Sequence, residues 1–230
     1  MYRIHNRIEV RGDVSELREH ARTARREATR ERVLDAALAV FAERGVIGSS
    51  VEDICERAGF TRGAFYSNFA DKAELVDALV AREHARVIAY LDANLALTVS
   101  EMADHDGPDD LGSMAPVVER ILSAVPVDRQ VAMLQTELEI NAVRQPEMSG
   151  SFRDADLRFR ARIAEFIERG TQYRNRELLV SATDVADAAV AIVERSVRRA
   201  LLVGGGADPD AMARAVLPLL LLAVSRPISA

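Results

Sequence analysis

Residues 50 to 72, SVEDICERAGFTRGAFYSNFADK, constrain the fold most, because they specify two short helices joined by a tight turn. Ser50 followed three positions later by Asp53 is a capping-box pattern with Asp in the usual place of Glu, and it predicts a helix from Val51. Gly59 suits the left-handed position that ends such a helix.

The second short helix is predicted to begin after Thr61, another N-cap candidate. Phe65 and Phe69 lie four positions apart and are expected to form its buried side, as Ile54 and Ala58 do in the helix before. The side exposed to solvent is expected to carry Arg62, Ala64, Tyr66, Ser67 and Asn68. Two short helices around a glycine turn form a helix-turn-helix unit.

The longer stretch AALAVFAERGVIGSSVEDICERAGFTRGAFYSNFADKAEL resembles the DNA-binding domain of the TetR family of bacterial transcriptional regulators. The resemblance extends from about Thr29 to Leu79. It depends on Phe41, Gly45, Ile54, Ala58-Gly59, Phe65-Tyr66, Phe69 and Lys72. It implies an all-α protein in which an N-terminal three-helix helix-turn-helix domain is joined to a larger C-terminal helical domain for ligand binding and dimerisation.

The resemblance also implies which residues contact DNA. The base-facing positions are Arg62, Gly63, Ala64 and Ser67, and the phosphate-contacting positions are Ser50, Thr61, Tyr66, Asn68 and Lys72. An arginine can bond to guanine O6 and N7 together, and small residues let the helix backbone enter the groove. Thr61 could instead only cap its helix, and the ring of Tyr66 could simply pack. Glu52 stands where some members of the family have a basic residue.

The charge distribution favours DNA binding near the N-terminus, although the formal net charge is −6. Residues 1–32 hold nine arginines against six acidic residues, so the basic excess lies beside the helix-turn-helix. Residues 1–28 are expected to be an N-terminal extension, either a mobile tail, helical after Ser15, or a basic arm that contacts DNA.

No motif of an enzyme occurs in the sequence: a nucleophile elbow, a phosphate loop and a CxxC pair are all absent, and we expect no cofactor. The four histidines lack metal-ligand spacing, and the acidic stretch at 104–110 is interpreted as a solvated loop, so no metal is expected. Cys55 is the single cysteine. The apolar run 215–224 is too short for a membrane span, and a soluble cytoplasmic protein is expected.

The remaining pattern predicts helices throughout, with a DNA-binding domain at 29–79 and an effector-binding and dimerisation domain at 80–230. The predicted helices cover 29–44, 73–97, 115–124, 126–144, 151–173, 183–203 with Thr183 as its cap, and 208–225. The segment 98–113 is predicted to be a loop and 174–181 a connector.

The last two helices have wide apolar stripes that predict a two-fold homodimer. The stripe residues are Val185, Ala189, Ile192, Ser196, Ala200, Met212, Val216, Leu219 and Leu220. The resemblance implies the same interface. The alternative is that the core of one subunit buries both stripes.

An effector pocket is expected after residue 97, again by resemblance. Gln135, Glu139, Phe159 and Phe166 are the candidate contacts for a small, mainly hydrophobic effector. Alternatively, the two polar residues are exposed and the two Phe residues belong to the core. The expected function is a dimeric repressor that leaves a palindromic operator when the effector binds. The alternative is a regulator or activator that is constitutive or controlled by a protein partner.

Overall fold

The computed structural model describes residues 9–102, 111–124, 128–145 and 150–228. Within these ranges the chain is helical apart from two short strands. The elements are α1 (Glu9–Arg44), α2 (Val51–Ala58), α3 (Arg62–Tyr66), α4 (Lys72–Met102), α5 (Leu111–Ala124), α6 (Arg129–Arg144), α7 (Gly150–Tyr173), β1 (Arg176–Leu178), α8 (Ala182–Val203), α9 (Ala211–Ala223) and β2 (Ser225–Pro227). No helix in the described ranges is both long and apolar enough to cross a bilayer. The expected all-α class is confirmed.

The chain divides into two compact units, Met1–Ala78 and Leu79–Ala230. Helix α4 begins in the first unit and continues into the second. The core of the first unit is formed by apolar side chains of α1 to α4 and of the turn between α3 and α4, all nearly inaccessible to solvent: Val33, Ala37, Phe41, Ile54, Phe65, Phe69, Leu75.

The predicted caps of the helix-turn-helix are confirmed. The hydroxyl of Ser50 accepts a hydrogen bond from the amide of Asp53, and the Asp53 carboxylate accepts one from the amide of Ser50. Gly59 ends α2 with φ of 69°, where a side chain would be strained. Thr61 caps α3 by accepting from the amide of Ala64.

The N-terminal extension is helical over a longer stretch than the sequence predicted. Helix α1 starts at Glu9 and runs without a break to Arg44, so the extension and the first helix of the DNA-binding domain are one element of 36 residues. The sequence of this region is polar, and no proline or C-capping motif separates the two parts. Residues 1–8 lie outside the described ranges.

The second unit is built around α7 and α8, which bury Ile163, Phe166 and Ala186 in a shared core. A second cluster joins α5 and α9 through Val118 and Leu217. Residues of both clusters contribute to the wall of the cavity described below.

Strand β1 lies inside the predicted connector and pairs antiparallel with β2, with Leu178 opposite Ser225. The guanidinium of the buried Arg176 donates to the hydroxyl of Ser225 at 2.8 Å and to its carbonyl oxygen at 2.6 Å. Three-residue strands leave no measurable periodicity, and the partner lies 49 residues away. The sequence pattern therefore could not reveal this pairing.

Several predicted boundaries were wrong. Helix α4 extends to Met102, and α5 begins at Leu111, so both ends of the predicted 98–113 loop are helical. The acidic residues at 104–110 lie outside the described ranges. Ser181, rather than Thr183, caps α8 by accepting from the amide of Asp184 at 3.1 Å.

Candidate DNA-binding surface and ligand cavity

Helix α3 presents a small exposed face that contains the predicted base-facing residues. Phe65 is fully buried and anchors the helix, while Arg62, Gly63 and Ser67 are exposed and Ala64 is half-buried. The anchoring phenylalanine directs the polar side of α3 outward. A short helix of this kind, with little bulk on its outer side, suits close approach to base edges.

Arg62 is held by two neighbours on this surface. Its guanidinium forms an exposed ion pair with Glu52 of α2 and lies 5.8 Å from the ring centre of Tyr66. A hydrogen bond with Tyr66 and the nearby Glu52 carboxylate raise the pKa of the Arg62 guanidinium above its ordinary value. A base would therefore have to compete with Glu52 for this side chain.

Asn68 does not lie on the exposed face, contrary to the sequence expectation. The residue is 8% exposed, and its Nδ2 donates to the carbonyl oxygen of Ala64 at 2.8 Å and to Ser67 Oγ at 3.2 Å. The reason is that α3 ends at Tyr66, so the chain has already turned inward at Asn68. A phosphate contact by this side chain does not fit its position.

Lys72 closes the turn between α1 and α2. Its ammonium donates to the carbonyl oxygens of Val46 at 2.9 Å and Ser49 at 2.8 Å, and the side chain is half-buried. Two of its three N–H groups are therefore occupied. The neighbouring Ser50 is exposed, although its hydroxyl is engaged in the cap of α2.

Three arginines of α1 donate to carbonyl oxygens at the C-terminal ends of α2 and α3, and the sequence did not identify this role. Arg26 and Arg30 donate to the carbonyl oxygens of Ser67 at 3.4 Å and Asn68 at 3.0 Å. Arg32 donates to the carbonyl oxygen of Ala58, the last residue of α2, at 3.1 Å. Arg30 also lies 4.3 Å from the ring centre of Phe69, and Arg32 lies 4.5 Å from that of Phe60. In the sequence, the four-residue spacing of Arg26 and Arg30 already indicated that both side chains lie on the same side of a helix.

The second unit contains a partly open cavity of about 250 Å³. Gln135, Phe159 and Phe166 line it, whereas Glu139 does not and forms an ion pair of 3.1 Å with Arg198. Apolar side chains form most of its wall: Val87, Leu91, Val118, Ile121, Leu122, Val131, Ala132, Ile163, Ile167, Ala189, Val190, Val193, Val197, Leu217, Leu221. Sequence reasoning missed these because their helical stripes are indistinguishable from ordinary core.

Apart from the predicted Gln135, the polar part of the cavity wall was also missed; it comprises Asp128, Thr136, Glu194, Arg198 and Asp210. Burial and the nearby Glu139 raise the pKa of Glu194, although Arg198 lies 3.5 Å from its carboxylate. Burial likewise raises the pKa of Asp210. Both shifts indicate that the cavity interior opposes uncompensated negative charge.

His84 supports the cavity wall from behind. Its ring stacks on the lining residue Phe159 with 4.2 Å between centres and 17° between planes. Burial lowers the pKa of His84, and the neighbouring Asp156 partly opposes this shift. His84 belongs to α4, so an aromatic pair joins this helix to the cavity.

The predicted dimer residues fall into three groups. Val185, Ser196 and Ala200 are buried within the subunit and cannot meet a partner as placed, a correction to the expected interface. Ala189, Ile192, Met212 and Leu220 are half-buried. Val216 and Leu219 are exposed, and every exposed residue of α9 is apolar: Ala211, Ala215, Val216, Leu219, Ala223. The name α9 face is used below for these five residues.

Among the described residues, no group of three His, Cys, Asp or Glu side chains is arranged to hold a metal ion. Cys55 is buried in the first unit, and burial raises the pKa of its thiol. A raised pKa disfavours the reactive thiolate, so Cys55 acts as a small core residue.

Comparisons with known proteins agree with this geometry. Residues 33–79 match the family model described as bacterial regulatory proteins, tetR family. The transcriptional regulator SrpR of Pseudomonas putida is 34% identical over 143 residues, which cover 51% of this chain and 67% of SrpR. The transcriptional repressor BepR of Brucella suis is 29% identical over 119 residues, covering 40% of this chain and 57% of BepR.

Several other relatives match over only 51 to 57 residues, on as little as 26% of their own length. Among solved structures, SmeT of Stenotrophomonas maltophilia superposes with a TM-score of 0.57 at 24% identity, over 86% of this chain and 90% of SmeT. That likeness establishes a shared fold. Together with the caps and exposed face of α3, these matches identify the chain as a member of the TetR family of bacterial transcriptional regulators, which bind DNA through a helix-turn-helix and are not enzymes.

Proposed function

We propose that this chain is a homodimeric repressor that occupies an inverted-repeat operator and leaves it when a small, mainly hydrophobic molecule enters the cavity. The observation that carries the proposal is the cavity itself. It has about 250 Å³ of space, apolar walls and a few polar groups, which is the usual constitution of a small-molecule site. A regulator of this kind works in the compartment that holds the bacterial chromosome, the cytoplasm.

The chemistry of the wall narrows the class of effector. Gln135 and Thr136 offer neutral hydrogen-bonding groups, while Arg198 is already paired with Glu139 and Glu194. The cavity wall therefore contains three carboxyl groups, those of Asp128, Glu194 and Asp210, and a single guanidinium, which is already paired. This balance supports an effector with an apolar body and a neutral or positively charged polar end.

The α9 face supports the homodimer. Exposed apolar residues in one contiguous stripe are costly in water unless another surface covers them, and a second copy of the same face provides an isologous partner. Two α3 helices related by this two-fold axis would enter major grooves about 34 Å, one helical turn, or a multiple of it apart. The operator is therefore expected to be an inverted repeat.

The release mechanism is a population shift through α4, which begins in the DNA-binding unit and continues into the cavity-bearing unit. An effector that binds better to a conformer with a displaced α4 would change the spacing of the two recognition helices. A coupling of about 1–3 kcal/mol would weaken operator binding by roughly 5- to 150-fold.

The alternative is a regulator or activator without a small-molecule effector, constitutive or controlled by a protein partner. Repression is favoured by the description of BepR, a relative by sequence, as a transcriptional repressor. Operator fragments selected from the source genome with purified protein would first supply the binding site. A panel of hydrophobic cations, neutral molecules and anions would then be titrated against the complex by fluorescence anisotropy.

A cavity-filling variant makes this experiment decisive. Ala132→Phe places a ring in the cavity, and Val143→Phe places the same ring at an exposed position of the same helix. We expect Ala132→Phe to bind the operator but to lose release by the active compound, and Val143→Phe to retain release. If no compound in the panel acts and Ala132→Phe regulates a reporter gene as the native chain does, the regulator without an effector is correct.

A further inference from the structure

We propose that Arg18, Arg22 and Arg25, on the N-terminal part of α1, contact DNA phosphates beside the base pairs that α3 reads. The name arginine row is used for these three residues. The proposal rests on the DNA binding of the family and adds a surface outside the helix-turn-helix. All three side chains are exposed and form no ion pair with any described residue.

Arginines spaced by four residues along α1 show towards which part of the helix-turn-helix the row is oriented. Residues four apart follow one ridge of a helix, and Arg18, Arg22, Arg26 and Arg30 lie on such a ridge. The last two of them donate to the carbonyl oxygens of Ser67 and Asn68, at the C-terminal end of α3. Arg18 and Arg22 continue this ridge beyond the end of the recognition helix.

Arginines spaced by seven residues mark the other edge of the sector of α1 that holds the row. Arg18, Arg25 and Arg32 are two turns apart from one to the next and lie close to one side of the helix. Arg32 donates to the carbonyl oxygen of Ala58, the last residue of α2. One line thus leads to the end of α2 and the other to the end of α3. The arginine row lies in the sector between them, on the side of α1 that faces the helix-turn-helix.

Acidic residues are largely kept away from this sector. Glu27 is nine positions from Arg18, and Glu31 is nine positions from Arg22; nine residues make about two and a half turns, so each lies on the opposite side. Glu19 borders the row and is the one acidic neighbour between residues 18 and 26. The row therefore presents a concentrated positive charge, as phosphate contacts require.

The length of the helix sets the reach of the row. At a rise of about 1.5 Å per residue, Arg22 lies about 6 Å and Arg18 about 12 Å beyond Arg26 along the axis. Because α1 is continuous from Glu9 to Arg44, the core of the DNA-binding unit holds this arm in a fixed direction. The row would meet the phosphate backbone flanking each half-site.

The test compares the native chain with Arg18→Gln/Arg22→Gln/Arg25→Gln on two probes, the selected operator and a duplex of random sequence. Affinity is measured at several salt concentrations. Each lost phosphate contact is expected to reduce the slope of log affinity against log salt by about 0.9, and binding to both probes to weaken. Base preference at the half-sites should stay as it is, since the row makes no base contact.

Two controls separate this role from helix stability. Arg18→Lys/Arg22→Lys/Arg25→Lys keeps the charge and should restore the slope, while Glu27→Gln, on the opposite side, should leave the slope as in the native chain. Circular dichroism of each variant reports its helix content. A neutral triple variant with native slope and affinity would overturn the proposal. If the native chain does not prefer an inverted repeat, the proposed operator is wrong. The salt dependence of binding to the random duplex then still shows whether the arginine row contacts phosphates.

Discussion

The ammonium group of Lys72 donates a 2.8 Å hydrogen bond to the carbonyl oxygen of Ser49, the residue just before the N-cap of α2. This bond ties the first residue of α4 to the turn ahead of the helix-turn-helix. The one lysine of the chain, which the family resemblance assigned to a phosphate, thus stabilises the DNA-binding unit from within.

The first prediction concerns this bond. Lys72→Met removes the donor to two half-buried carbonyl groups, and we expect the free energy of unfolding to fall by about 1–3 kcal/mol. Lys72→Arg, which keeps a cationic donor, should lose less. Urea unfolding followed by circular dichroism measures both. An unchanged midpoint for Lys72→Met would mean that water replaces the bonds at no cost.

The second prediction concerns Glu52, which pairs with Arg62 beside the base-facing surface. Glu52→Gln removes a carboxylate that competes with guanine for the guanidinium and repels phosphate, so operator affinity should rise several-fold. Arg62→Ala should lower affinity and relax base preference at one position of each half-site. In the double variant the gain from Glu52→Gln should shrink. Full retention of that gain would show that Glu52 acts on phosphates alone.

The third prediction uses His84, whose pKa is lowered by burial against Phe159. The unfolded chain binds a proton near the ordinary histidine pKa of about 6.5, whereas the folded chain resists protonation until a lower pH. Stability should therefore fall as the pH drops below about 6.5. His84→Phe keeps an aromatic ring at this position and should lack this part of the loss. Parallel slopes for both proteins between pH 7 and 5 would contradict the assignment.

The fourth prediction uses Glu194, whose pKa is raised, chiefly by burial. Its folded form holds a proton more tightly than its unfolded form, so this contribution to stability is complete at acid pH and is lost as pH rises through the raised value. Glu194→Gln should therefore be more stable than the native chain at neutral pH. The difference should disappear toward pH 4, as thermal unfolding across pH would measure. A constant difference would point to altered packing.

The fifth prediction tests the α9 face as a dimer interface. Leu219 is 53% exposed in the single chain, and each dimer would bury two copies. Only about half of this side chain is left to bury, so the loss is about 0.8–1.5 kcal/mol at each copy, and Leu219→Glu dimers should be weaker by roughly 10- to 150-fold. Leu157→Glu, an exposed leucine on α7, is the matched control and should remain dimeric in analytical ultracentrifugation. A monomeric native chain would overturn the proposed homodimer.

Local sequence was sufficient for the helix-turn-helix. Ser50, Asp53, Gly59 and Thr61 each act within three or four residues of their partners, and the four-residue spacing of Phe65 and Phe69 marks the buried side. Caps, glycine conformation and helical period depend on neighbours along the chain, so the sequence alone determined the fold class, the helix-turn-helix and the family.

Tertiary structure decided what depends on distant partners. The burial of Asn68 follows from where α3 stops, and Lys72 bonds to carbonyl groups 23 and 26 residues earlier. The apolar stripe that contains Val185 and Ala200 has a helical period. This period is the same whether the stripe packs against a second subunit or in the core of its own subunit. Periodicity reports that one side of a helix is buried, but only the packing of the other helices determines what covers that side and where a cavity remains.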